Sequence, residues 1–547
     1  MKSSASIALS TPERYRLPQQ LERHINDMMQ EALVPGLSIA IYSKDGILFN
    51  KGMGVKSLET KEPVDEQTIF CAASLGKPVF TYGVLRLVDQ GILDLDKPLY
   101  EYMPHRDLLH DERHKQITGR MVLSHTTGLP NWRGARLDFE SDPGQQYVYS
   151  GEGFLYLMEI VEKLTGQSLD EMMSEQIFGP LGMTRSSYTW REEFEDNYAF
   201  SHDEFGRVLS RYKPAEQNAA FSLQTTAQDY SRLMIAALNG WGLEQETSRQ
   251  MLSSAIELVR SAFDGSRACW GLGFGLLETQ QDRYLWQWGG HNWFSSLTVA
   301  LQERGLGMVY FSNNTLGFGL GKGLLKLCFG EEWTPQLWLD DYDYEAPVKQ
   351  LFRDIRTGSS FDDAIKPYLA ENGRHQKTEW INEEAMYTLG ELLRDNGALE
   401  WSRRILYLNQ KAYPDSAATQ EQYALAALLC RRPEEAARHY GYAYQLDTSR
   451  KEALKNSLRL SDQVQGNVTL QLAGHDYARW ITIAGEFNDW NKYADPFVRK
   501  NGQWVCQLNL PPGTYKYKLV VDDIWKLDPH NPKMEFDGQH NSILEVE

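Results

Sequence analysis

A chain of 547 residues is too long for a single compact core, so about two to four domains are expected. Its hydrophobic share of 42% and charged share of 24% are those of an ordinary globular protein. The formal charge of −18 argues against a nucleic-acid partner, and no run of 18 apolar residues predicts a membrane span. The five cysteines, Cys71, Cys269, Cys328, Cys430 and Cys506, are scattered without a C-x-x-C pair. They read as reduced thiols, with no disulfide framework and no zinc site.

In chain order, the start "MKSSASIALSTPERYRLPQQ" lacks a long apolar core, so no secretory signal and a cytoplasmic location are expected. The segment "GLSIAIYSKDGILFNKGMG" predicts two strands around Asp45-Gly46. Helical patterns follow, among them "GFLYLMEIVEKLTG" with its glycine stop. A late pair of strands is expected in "YLWQWGGHNWFSSLTVALQERGLGMVYFSN". Strands at both ends with helices between them predict an antiparallel sheet flanked by helices over residues 1–340.

The acidic, proline-bearing "PQLWLDDYDYEAPVKQ" reads as a linker. Residues 350–460 read as helical. Tyr387, Leu389, Leu392 and Leu393 recur 36 residues on as Tyr423, Leu425, Leu428 and Leu429. That period suggests paired helices close to the tetratricopeptide type, with an unrelated helical hairpin as the alternative. Residues 465–547 break into short β-runs separated by turns and predict a small all-β, immunoglobulin-like sandwich.

Chemistry concentrates around "FCAASLGKPVF", in which Ser74 and Lys77 stand one helical turn apart. The Ser-x-x-Lys spacing alone is weak, and Ser210 with Lys213 repeats it. Only after Ser74 does a helical stripe follow (Phe80, Val84, Leu87, Val88). A serine at a helix N-terminus with a lysine beside it is a nucleophile with a base, provided burial lowers the lysine's pKa. Tyr149, in Tyr149-Ser150-Gly151, could move protons if cationic neighbours acidify its phenol. In "WQWGGHNWFSS" the glycines allow close approach to a strand edge that could offer an N–H to an oxyanion beside that of Ser74.

Taken together, "FCAASLGKP", "MVLSHTTGLP", "YVYSGEGF", "FSLQTTAQDYSRLM", "WGLGFG" and "WQWGGHNWFSS…MVYFSNN" resemble the serine β-lactamase-related family over residues 15–330. That family includes class C β-lactamases, D,D-peptidases and family VIII esterases. The resemblance implies an acyl-enzyme on Ser74, with Lys77 and Tyr149 handling its proton. Two departures stand out. Gly151 replaces the asparagine usual in the second motif, and the third motif carries neither lysine nor histidine at its start. That motif falls either on Gln287-Trp288-Gly289 or on Trp288-Gly289-Gly290, so the second oxyanion N–H belongs to Gly290 or His291. Both departures remove groups suited to β-lactam or peptide carboxylates and favour ester hydrolysis.

Other constellations read as structural. His125 in the "SHTTGLP" turn is assigned no catalytic role. His110 and His114 lack the glutamate of a metalloprotease helix, "GLGFG" at 271–275 precedes no helix, and "DYDYE" at 341–345 is too short for an EF-hand. No metal and no cofactor are expected.

The segment 466–547, through "GEFNDW", "YKYKLVVDDIW" and "GQHNSILEVE", resembles the family 48 carbohydrate-binding module, which includes the glycogen-binding domain of AMP-activated kinase β subunits. The resemblance implies glucan contacts from Trp490, Lys518, Trp525 and Asn541, and aromatic faces suit sugar rings. Trp480 and Trp504, inside apolar runs, read as core. The expected whole is a serine carboxylesterase tethered to α-glucan such as glycogen or starch, acting on a small ester or amide, with a homo-oligomer left open. The alternatives are a D-amino-acid peptidase or weak β-lactamase on the same site, or an inactive glycogen-bound scaffold.

Overall fold

The computed structural model describes residues 18–134, 136–261, 265–330, 343–358, 360–372, 383–460, 466–475, 478, 480–493, 495–500, 502–521, 524–536 and 540–546. The chain divides into two compact units, Met1–Lys349 and Gln350–Glu547. Of the stretch at 335–350 that reads as a linker, residues 335–342 lie outside the described residues, and a helix begins at Pro347.

The first unit is built on an eight-stranded sheet in which every neighbouring pair is antiparallel. Its strands are β1 (Gly36–Ser43), β2 (Gly46–Gly54), β5 (Ile256–Arg260), β6 (Arg267–Trp270), β7 (Gly275–Glu278), β8 (Arg283–His291), β9 (Phe294–Leu301) and β10 (Leu306–Ser312), in the order β2-β1-β10-β9-β8-β7-β6-β5. The short β3 (Phe70–Cys71) and β4 (Gln224–Thr225) pair with each other beside it. The expected late pair of strands is in fact three. Asn292 and Trp293, with φ of 47° and 66°, make the left-handed two-residue turn that joins β8 to β9, and residues 302–305 turn the chain again into β10.

Helices cover both faces of this sheet. Pro18–Glu31 and Leu320–Phe329 bury Ile25, Met29, Leu324 and Phe329 against Ile39, Leu297 and Met308. On the opposite face Gly76–Asp89, Gly151–Thr165 and Ala227–Asn239 pack around Val79, Phe80, Leu157, Ile160 and Leu233. Burial on both sides explains why β9 and β10 read as apolar runs rather than alternating ones.

In the second unit, Glu383–Asp395 pairs with Leu399–Ala412, and Ala417–Leu429 with Pro433–Leu446; Lys451–Leu460 follows. The 36-residue recurrence places Tyr387 and Tyr423 at equivalent positions of the first helix in each pair. The C-terminal β-rich part has a three-stranded sheet, β11 (Val468–Leu472), β15 (Gln503–Leu508) and β14 (Val498–Lys500). It faces a larger one of β13 (Asp495–Pro496), β12 (Ile481–Gly485), β16 (Gly513–Val521), β19 (His540–Val546) and β18 (Met534–Phe536), with β17 (Ile524–Lys526) on β16. Trp504 lies in the core between the sheets with Ile483, Phe497 and Leu519, as its sequence context predicts. Trp480 does not: it packs with Ala484 and Val520 against Leu429 of the helical segment. Arg431 donates to Ala478 O at 2.5 Å across the same junction. Among the described residues no helix is long and apolar enough to cross a membrane.

Candidate active site

Ser74 sits in a 3-10 turn, Ala73–Leu75, that runs directly into the helix Gly76–Asp89. The preceding Ala73 has φ of 50°, a left-handed conformation that costs a non-glycine residue about 1–3 kcal/mol and is characteristic of residues forced by function. It lets the chain leave β3 and present the Ser74 hydroxyl without a regular helical cap.

Lys77, one turn on, is 1% exposed. Its Nζ lies 3.1 Å from Ser74 Oγ and donates to Ala220 O at 2.9 Å. Burial, with no carboxylate to offset it, pulls its pKa from 10.5 down to about 7. One N–H held by Ala220 O leaves the neutral amine's lone pair for the serine.

Tyr149 lies over the lysine, with Nζ 4.8 Å from its ring centre. Its hydroxyl accepts from Gln287 Nε2 at 3.1 Å, and the Ser74 hydroxyl is near enough to offset part of the burial effect on its pKa. The condition of an acidified phenol is not met. The ring is enclosed by His125, stacked at 4.2 Å, and by Trp288 at 5.2 Å, and burial raises the phenol to about 12. A lysine that is itself half neutral near pH 7 offers little charge to counter that. Tyr149 therefore carries its proton at neutral pH.

The strand β8 closes the other side. A Cβ at Gly289 would collide with Ala72 O and lie 3.0 Å from Ser74 N, so only glycine allows the strand so near the nucleophile. Gln287 is fully buried. Its Nε2 faces two carbonyls, Ser74 O at 3.3 Å and Trp288 O at 3.1 Å, which fixes the amide orientation and makes it a donor to Tyr149. This arrangement favours the third motif read on Gln287-Trp288-Gly289. The turn at 292–293 makes His291–Phe294 the closing, doubly bonded pair of the hairpin, and such pairs alternate along an antiparallel ladder. The His291 N–H is therefore spent on β9, whereas the Gly290 N–H points away from it. The neighbour on that side, β7, ends its pairing at Trp286. Of the two candidates for a second oxyanion donor, this geometry favours Gly290. His291 instead sets its ring between Tyr212, met edge-on, and Phe221, met at a tilt, each 4.6 Å away, and burial lowers its pKa.

Ser150 is structural. Its Oγ caps the helix Gly151–Thr165, accepting from Gly153 N at 3.0 Å and donating to Pro130 O at 2.9 Å. His125 accepts the Ser150 N–H at Nδ1, 3.0 Å away; burial first and the Lys77 charge second keep the imidazole neutral. It supports the Tyr149 ring from behind. Gly151 lies under Trp132, which stands 19 positions upstream in a loop that carries no motif. The Ser210/Lys213 copy is engaged elsewhere, with Lys213 paired to Glu195. His110 bonds Asp138 at 3.1 Å and His114 bonds Asp111 O at 2.6 Å, so the two face different partners.

In the second unit, Trp490 and Trp525 come together with ring centres 6.4 Å apart. Consecutive left-handed residues, Asp489 and Trp490 at φ of 53° and 57°, turn the chain so that the half-buried first indole meets the second, and Trp490 N donates to Gly485 O at 2.9 Å. Trp525, 42% exposed, pairs across β17 with Val520, so it shares a sheet face with Lys518 two residues away. Asn541 follows the β16–β19 register beside Lys518 and is buried.

Residues 21–322 match the family model described as beta-lactamase, and residues 469–547 match the glycogen recognition site of AMP-activated protein kinase. Protein flp of Staphylococcus aureus (strain NCTC 8325 / PS 47) is 25% identical over 242 residues, which is 41% of this chain and 48% of that protein. The chain thus spans about half the length of these curated relatives. Penicillin-binding protein 4 of Amycolatopsis lactamdurans is 28% identical over 275 residues, 46% of this chain and 71% of its own. Among solved structures, SurE superposes with a TM-score of 0.50 at 19% identity, covering 61% of this chain and 77% of that one, a likeness of fold alone. An octameric penicillin-binding protein homologue from Pyrococcus abyssi gives 0.49 at 21% identity, over 66% and 81%.

Proposed function

Because this chain belongs to the beta-lactamase family, we propose that it is a serine hydrolase of uncharged carboxylic esters, held on α-glucan by its C-terminal module. The observation that carries the reading is the buried Lys77 amine 3.1 Å from Ser74 Oγ, with its pKa drawn down to about 7. Neutral Lys77 takes the Ser74 proton as Oγ attacks the carbonyl carbon. The N–H groups of Ser74 and Gly290 receive the developing oxyanion. Tyr149, protonated, gives its proton to the departing alkoxide and regains one from the Lys77 ammonium. Water then repeats the attack on the acyl-Ser74 carbonyl and releases the acid.

The ester preference rests on Gln287. It donates to Tyr149 as a neutral amide where a lysine would also supply a positive charge for a substrate carboxylate. The glucan reading rests on the paired indoles of Trp490 and Trp525 with Lys518 beside them. Such a tether raises local substrate concentration without altering the chemistry.

The test is a panel of short-chain p-nitrophenyl esters, D-amino-acid peptides and nitrocefin, with Ser74→Ala as control and glycogen present or absent. Esters should dominate. Nitrocefin or peptide turnover with inert esters would replace the esterase reading. No fluorophosphonate adduct at Ser74 would leave a glycogen-bound scaffold.

A further inference from the structure

We propose that Trp132, Phe221, His291 and Tyr212 form an aromatic shelf beside Ser74 that selects esters carrying a flat, apolar aryl group. The inference rests on the hydrolase reading above and names its substrate class. A Cβ on Gly151 would meet Trp132 Cη2 at 2.6 Å and Cζ3 at 2.7 Å, and Asn131 O at 2.8 Å. The indole therefore occupies the space that a side chain at position 151 would need. No amide or other polar group can enter there while Trp132 keeps its place.

Its place is fixed from both sides. Asn131 O accepts the N–H groups of Gly151 and Glu152 at 3.0 and 3.2 Å, and Asn131 Oδ1 accepts that of Gly151 at 3.1 Å. Arg133 closes a bidentate pair on Glu152, Nε to Oε1 at 3.1 Å and Nη2 to Oε2 at 2.6 Å, and that carboxylate is 4% exposed. A charge pair with one partner this buried does not reorganise cheaply. The indole between these two clamps remains 45% exposed.

From Trp132 the rings continue past the nucleophile. Phe221 meets Trp132 edge-on at 5.4 Å, and His291 lies 4.6 Å from Phe221 and from Tyr212. Phe221 directly follows Ala220, whose carbonyl holds Lys77 Nζ. His291 is two residues beyond Gly289, on the same face of β8, and Gly289 abuts Ser74 N. The shelf thus borders all three segments that build the site. With His291 held towards its neutral form it presents aromatic surface and no cation, which favours an aryl ring over an acylamino group.

The experiment compares kcat/KM for p-nitrophenyl phenylacetate with that for the acetate and for an N-acylglycine p-nitrophenyl ester. Wild-type protein should prefer phenylacetate over acetate by about tenfold or more. Trp132→Ala should collapse that ratio towards one, and Trp132→Phe should retain part of it. Gly151→Asn alone should collapse it as well, by displacing the indole. Adding Trp132→Ala to Gly151→Asn should cost no further preference and should raise relative use of the N-acylglycine ester. A wild-type ratio near one, or a Trp132→Ala ratio equal to wild type, overturns the proposal. Fluorophosphonate labelling keeps the two readings apart. Absence of a Ser74 adduct defeats the hydrolase reading, whereas an adduct and ester turnover without aryl preference defeat only the shelf.

Discussion

The Ser74 site and the Trp490–Trp525 platform solve opposite problems. At the first, the decisive groups are hidden: Lys77 is 1% exposed and Gln287 is fully enclosed. At the second, Trp525 is 42% exposed and Trp490 beside it is only half-buried. Burial at the first is itself the chemical device, because removing water makes an ordinary lysine a base near neutrality. In the glucan-binding role proposed for the platform, burial would defeat the purpose, because a sugar ring needs an open indole face. A change at the first region should therefore alter rate and pH response, and a change at the second should alter only where the protein resides.

Predictions that would break or sharpen this contrast run from large to small. Ser74→Ala should lower ester turnover on the order of 10⁴-fold or more and abolish the fluorophosphonate adduct, checked by steady-state kinetics and intact-mass measurement. Lys77→Met should cost on the order of 10³-fold in kcat/KM. It should also erase a limb of the pH profile. The amine must be neutral to act, and its pKa is depressed to about 7, so wild-type kcat/KM should rise as pH increases through about 7 and then level. A profile with no such limb would detach Lys77 from the base role.

Tyr149→Phe should lower kcat about 10²-fold, since the ring packing survives and only the proton donor is lost. Gln287→Lys should raise the ratio of nitrocefin to ester turnover about tenfold, by placing a cation on the Tyr149 hydroxyl, and an unchanged ratio would remove Gln287 from substrate discrimination. Trp525→Ala should weaken glycogen co-sedimentation about tenfold, near the loss expected for one stacking face. A parallel fall in kcat on a soluble ester would show that the two regions are not separate after all.

Much of this was legible in the sequence because it depends on spacing. Ser74 and Lys77 are one helical turn apart, and the stop at Gly166 and the cap at Ser150 delimit the helix behind Tyr149. What could not be read depends on enclosure. Nothing near Tyr149 in sequence announces that His125 and Trp288 cover its ring, so the sequence does not show which way the phenol's pKa moves. Trp132 was missed for a related reason: its link to Gly151 is made by Asn131 and Arg133 across a loop, and no periodicity records it. Trp480 looked like sandwich core because an apolar strand residue has two faces to choose from. Sequence alternation does not say that a helix waits on the other side. The Gly290 assignment needed the turn conformation at 292–293, which only the backbone supplies.

The junction at Trp480 carries a practical lesson for modular transfer. Ala484 and Val520 lie under Leu429, and Arg431 holds Ala478 O. A glucan-affinity tag cut out at residue 465 would bare that apolar patch to solvent and invite self-association. A tag begun near Gln350 takes its own cover with it, so the helices and the sandwich are best moved between proteins as one cassette.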